Sequence, residues 1–157
     1  MLPRTVVERV RREAERLGVS LEEYIVDLLA ERLDPRDRAR EYIDAAKELL
    51  EHAREELERG NLRQAAEKVW GATALTIKAY AEWREGRRLT SHGELWEYKN
   101  KVARELGSRV RGVFREANSL HTCFYEAWCT REDVEDVLGK VGKLVEEVEA
   151  RVKQRNS

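Results

Sequence analysis

Asn118, His121 and Tyr125 recur at spacings of three and four within the run ANSLHTCFYE, which on a helix sets an amide, an imidazole and a phenol along one line. Phe114 and Trp128 continue that line at its two ends. Val110, Val113, Ala117, Leu120, Phe124 and Ala127 keep the same helical time on the adjacent face, so a core-facing seam with a polar line along its edge is expected. A histidine titrates near neutrality and can act as general acid or base, while neighbouring amide and phenol groups can orient a ligand. The same line also suits half-buried residues that close the rim of a core.

A second chemical segment is GRRLTSHG, which places Arg87, Arg88, Thr90, Ser91 and His92 at the expected start of a helix. Unpaired backbone N–H groups and the helix dipole favour an anion there. Cationic side chains beside a helix N-terminus are electrostatically unfavourable unless something negative joins them, and a phosphate would resolve that conflict. The alternative is a solvated basic turn in which Ser91 acts only as a cap.

The elements that must position these groups are well punctuated. A first helix spans about Pro3 to Leu17 and ends at Gly18; Ser20 with Glu23 forms a capping box that opens a second, to Leu33. Asp34 followed by Pro35 starts a third, which runs to about Arg59 and stops at Gly60. Asn61 caps a fourth, from Leu62 to about Glu85, closed by Gly86. Ser91 with Glu94 opens a fifth to about Leu106, a sixth runs from about Arg109 to Trp128, and Thr130 with Asp133 begins a seventh towards Lys153. Strand signals are absent. From Val69 to Trp83 the fourth helix is apolar on nearly every face, so it must be surrounded. Lys68 and Lys78 on it are expected to pair with internal carboxylates. Short connections between long helices make neighbours antiparallel, so residues 34–157 are expected to form an up-and-down bundle, with residues 1–33 as a two-helix appendage for packing or dimerisation.

Composition narrows the function classes. The 157 residues suit one domain, and 30 basic against 31 acidic side chains give a net charge of −1. The chain is therefore not a globally basic nucleic-acid binder, and any anion site must be local. Its 39% charged residues fit a protein adapted to heat through surface ion pairs. Cys123 and Cys129 lie six apart, which on an unbroken helix separates them by roughly 9 Å along the axis and about 120° around it, too far to bridge. No zinc-ligand pattern and no cofactor motif is present, and neither a signal peptide nor an apolar run approaching a membrane span is visible, so a soluble cytoplasmic protein is expected.

Helix, then Gly-Val-Ser, then LEEYIVDLL resembles the helical pair of ribbon-helix-helix proteins, but the base-reading strand has no counterpart ahead of the first helix. More of the chain is covered by another likeness. WGATALTIKAYAE, GRRLTSHGELWEY and ANSLHTCFYEAW followed by TREDVEDVL, in that order, resemble the archaeal PaREP family, type one, within the HEPN superfamily. The resemblance runs from about Ser20 through the seventh helix. It implies an all-α HEPN-like bundle, usually dimeric, in a superfamily linked to nucleotide binding and to metal-independent ribonucleases.

Active HEPN nucleases carry an Arg, four to six residues, then a His, with the pairs of two subunits lining one cleft. Arg115 precedes His121 here with five residues between. On a continuous helix the two point about 120° apart, so they converge only if the helix is irregular or a second subunit completes the site. Glu116 follows the Arg where that motif commonly has a polar residue, and its charge repels phosphate. The resemblance thus implies His121 as acid or base for 2′-OH attack, and Arg115, or Arg87 and Arg88, as the group that stabilises the phosphate. The expectation is a homodimer or higher oligomer that binds nucleotide or RNA phosphate at a cleft lined by Ser91, His92, Asn118, Tyr125 and Glu126, without metal or cofactor. The alternative is a non-catalytic interaction protein that receives a protein partner such as an antitoxin or nucleotidyltransferase.

Overall fold

In the computed structural model, which describes residues 2–154, the described residues form seven α-helices and no strand. They are α1 (Arg4–Leu17), α2 (Leu21–Ala30), α3 (Pro35–Glu58), α4 (Leu62–Glu85), α5 (His92–Leu106), α6 (Arg109–Glu126) and α7 (Arg131–Val152). The all-α bundle expected from the sequence is what the chain adopts. Four helix starts are set by local chemistry: the side chains of Ser20, Asp34, Ser91 and Thr130 accept hydrogen bonds from the backbone N–H three residues on. Asn61 departs from expectation. Its side chain does not cap α4 and instead donates to Glu56, 2.8 Å away on the preceding helix.

The continuous apolar character of α4 has its predicted consequence, since every residue from Val69 to Glu82 is buried. α3, α5, α6 and α7 pack around it, and α2 lies across α3 and α4. Gly71 permits that last approach: a Cβ there would sit 2.9 Å from the Ser20 hydroxyl and 3.2 Å from Leu49, so the capped start of α2 rests on bare α4 backbone. α2 is also held by charge. Glu23, fully buried, pairs with Lys78 at 2.7 Å; Asp27 pairs with the same ammonium and accepts a 2.7 Å hydrogen bond from the Tyr42 hydroxyl. Lys68 pairs with Glu22 at 3.1 Å. Lys78 therefore finds an internal carboxylate, as expected, whereas the partner of Lys68 is a part-exposed one. α1 packs mainly on α2, buries only Ala14, and leaves Val6 and Leu17 exposed.

Two expectations about α6 need correction. Its buried face is Val110, Phe114, Ala117, Leu120 and Cys123, whereas Val113 and Phe124 are half-buried and Ala127 is exposed. The seam is rotated because α5 covers one flank of α6: Phe114 is gripped edge-on by Trp70, with centroids 5.4 Å apart, and by Trp96 at 5.0 Å. The second correction concerns the cysteines. α6 stops at Glu126, and Ala127 takes a left-handed conformation with φ of 63°, so the chain doubles back and Cys129 returns to Cys123. Their Cα atoms lie 5.1 Å apart and the two form a disulfide. The unbroken helix assumed from sequence does not persist between them.

Candidate functional site

His121 projects from α6 against α4, where its Nδ1 lies 2.7 Å from Oε1 of Glu67. Both side chains are largely enclosed, His121 at 12% and Glu67 at 7% exposure. Trp70, one turn further along α4, lies against the imidazole with centroids 5.8 Å apart, and Tyr125 meets it edge-on at 5.1 Å. Nε2 of His121 has no hydrogen-bond partner among the described residues. A carboxylate that holds one imidazole nitrogen and leaves the other open is the arrangement used to orient a histidine for proton transfer or ligand binding. Burial pushes the Glu67 carboxyl up from its ordinary value, partly countered by His121.

His92, on the first turn of α5, packs on the same Trp70 ring at 5.8 Å. Thus α4 brings together the two histidines that the sequence placed in different segments. The Trp96 indole N–H donates to Nε2 of His92 over 2.7 Å, so the neutral ring carries its proton on Nδ1. That Nδ1 is buried without a partner, and so is Nε1 of Trp70. Two N–H donors in one aromatic cluster therefore lack an acceptor. Burial lowers the His92 pKa, and the nearby His121 lowers it further.

The GRRLTSHG turn resolves its charge conflict internally. Glu94 folds back over the start of α5, where Oε1 accepts from the Thr90 backbone N–H at 3.2 Å and the Thr90 hydroxyl at 3.0 Å. Arg87 approaches the same carboxylate at 3.6 Å, and Ser91 caps α5 through the Glu94 N–H. These hydrogen bonds hold the Glu94 carboxyl below its usual range, the Thr90 backbone contact first among them. Arg88 turns away and donates to the backbone carbonyl of Asp27 at 3.0 Å. The Glu94 carboxylate thus supplies one negative charge at the turn where the sequence suggested an external phosphate on Arg87, Arg88 and Ser91.

The remaining expected residues separate. Tyr125 stays beside His121 and is 47% exposed, Asn118 is half-buried one turn before it, and Glu126 is exposed and accepts from the Trp128 indole at 2.8 Å. Arg115 is exposed, one turn beyond Arg111 on α6, and its charge contributes to lowering the Lys99 pKa. Near the Glu67 and His121 pair a cavity of about 110 Å³ opens between α1, α2, α4 and α6, with Glu15, Glu22, Gln64, Glu67 and Tyr125 on its walls. Among the described residues no group of three His, Cys, Asp or Glu could hold a metal ion, and no helix is long and apolar enough to cross a membrane. Sequence reasoning missed Glu67, Trp70 and Trp96. Glu67 stands among Arg63, Gln64 and Lys68 on the polar first turns of α4, and gave no signal of its burial.

The profile of the archaeal PaREP1/PaREP8 family matches residues 41–145, which include α4, α5, α6 and most of α3 and α7. The crystal structure of a protein from Sulfolobus solfataricus is similar in fold, with a TM-score of 0.60 and 24% identity over 69% of this chain and 97% of that one. No curated protein matches the chain.

Proposed function

Because the chain belongs to the archaeal PaREP1/PaREP8 family, a name that states no chemistry, we propose its function from the site itself: a helical domain that binds nucleotide or RNA phosphate, with His121 and Glu67 as its acid–base pair. The observation that carries this is the 2.7 Å contact between His121 Nδ1 and Glu67, which leaves Nε2 as the one open imidazole nitrogen. In RNA cleavage Nε2 would accept the proton of a 2′-OH as that oxygen attacks the adjacent phosphorus, and the 5′-oxygen would leave by taking a proton from water, which yields a 2′,3′-cyclic phosphate and a 5′-hydroxyl without metal. Arg115 would reach the reacting phosphate from a second subunit, in a HEPN-like homodimer or higher oligomer. Leu2, Val6, Leu17, Leu28 and Leu29, exposed on α1 and α2 and in the segment ahead of α1, supply apolar surface for such an assembly.

A second function, a non-catalytic interaction domain that receives a protein partner, is favoured by one observation. The histidine is 12% exposed and its adjoining cavity, about 110 Å³, is walled by Glu15 and Glu22 with Arg11 as the one cation of its lining, which leaves little room or charge for a phosphate. The test is incubation of purified protein with diverse single-stranded RNAs in chelator, alongside His121→Asn and Glu67→Gln. Cleavage by the parent with cyclic phosphate ends, lost in both variants, is expected for the acid–base pair. Intact RNA in every reaction would end the nuclease proposal and leave binding to be measured directly.

A further inference from the structure

Among the 17 ion pairs of the described residues, none involves Lys99, Arg111 or Arg115. These three cations nevertheless share one place, where α5 crosses α6. The Asn100 side-chain oxygen accepts from Arg111 Nε at 3.0 Å and approaches Lys99 Nζ at 3.5 Å, so ammonium and guanidinium face the same amide. Arg115 stands one turn beyond Arg111 on α6. Lys99 is only 6% exposed; its ammonium donates to the Trp96 carbonyl at 2.9 Å and lies 4.7 Å over the Trp96 ring and 5.5 Å from that of Phe114. The carboxylate nearest in sequence, Glu116, is engaged by Lys140 on α7 at 3.1 Å.

Like charges held together, one of them nearly buried, raise the free energy of the unliganded protein. Burial lowers the Lys99 pKa, and Arg115 and Arg111 lower it further, with no carboxylate acting against them. An anion from outside would relieve that strain. We propose that Lys99, Arg111 and Arg115 form a phosphate-binding subsite on the α5–α6 face, which holds a phosphate group of the nucleic-acid ligand. Two guanidiniums present forked donors to phosphate oxygens, and the ammonium supplies a point charge at the base of the site. The identification of the anion as nucleic-acid phosphate rests on the proposed function; the subsite itself rests on the unneutralised cations.

The experiment measures binding of a fluorescein-labelled single-stranded RNA decamer and, separately, of ATP and inorganic pyrophosphate, at several salt concentrations. The proteins are the parent, Arg111→Ala, Arg115→Ala, the double variant, Lys99→Gln and, as a remote control, Arg16→Ala, with circular dichroism to verify folding. Each single arginine variant is expected to weaken binding several-fold and the double variant by at least ~10-fold with a shallower salt dependence, whereas the control binds as the parent does. Loss of ATP and pyrophosphate binding in the arginine variants, with RNA unbound throughout, sustains the subsite and ends its assignment to RNA. A folded double variant that binds all three probes as tightly as the parent, or a parent that binds none of them, overturns the subsite.

Discussion

Glu67 on α4 and His121 on α6, 54 residues apart, share a hydrogen bond of 2.7 Å inside a cluster also walled by Trp70 and Tyr125. The contact makes His121 structural as well as chemical. An imidazole on the rim could be removed with little effect, but here its removal leaves a buried carboxylate without its partner.

His121→Ala should therefore destabilise the fold by about 1–3 kcal/mol, the range for an orphaned buried polar group. Glu67→Gln, which keeps the shape and a hydrogen bond, should cost less. Urea denaturation of both variants checks the order, and equal stability of parent and His121→Ala would show that the pair contributes nothing to the fold.

Lys78 is tied to Glu23 and Asp27 beneath α2, and its ammonium is 2% exposed. Burial opposes its charge, yet Glu23 and Asp27 outweigh that and raise its pKa. Lys78→Ala should destabilise by about 3–5 kcal/mol, because two carboxylates lose their counter-ion inside the protein. Lys78→Met with Glu23→Gln should recover part of the loss. Thermal melts of the two variants report this, with loosening of α2 visible in hydrogen exchange.

Stability should respond to His92 on the acid side of neutrality. Its folded pKa is depressed, by burial first and then by His121, so the unfolded chain binds the proton more readily. The contribution is complete above the ordinary histidine value of about 6.5 and declines as pH falls from there through the folded value. Glu23 and Glu67 act oppositely: burial raises both, so their effect favours the fold at low pH and fades as pH rises through the carboxylate range and beyond. Urea midpoints between pH 4.5 and 8 for parent and His92→Gln separate the two. A parent-minus-variant difference flat across pH 5 to 7 would exclude the histidine contribution.

Reduction of the Cys123–Cys129 bridge should lower stability by about 2 kcal/mol, the loop-closure effect of so short a ring. Cys123→Ser with Cys129→Ser should melt at the temperature of the reduced parent. Indistinguishable melts with and without reductant would show that the turn at Ala127 holds without the bond.

How much of this was legible in the sequence depends on the distance between cause and effect along the chain. Ser20, Asp34, Ser91 and Thr130 announced four helix starts because a cap and the N–H it receives are three residues apart. The burial of α4 was equally plain from the apolar residues on nearly every face of Val69 to Trp83. The cysteines were misjudged for the same local reason: whether a helix persists across residues 123–129 is set by a single backbone conformation at Ala127, a residue type that gives no warning of it.

For the candidate site, the sequence by itself determined that His92, His121 and Tyr125 would be available, since their spacing and their helices followed from local rules. Only the tertiary structure decided what they would do. It put both histidines on Trp70 and gave His121 a carboxylate. It also let Glu94 occupy the turn intended for an external anion. The physical reason is that helix formation is governed by bonds within a few residues, whereas the partner of a buried charge is chosen by how α4, α5 and α6 rotate against one another. That rotation is set by the summed packing of rings such as Phe114 and Trp96, which no short stretch of sequence encodes.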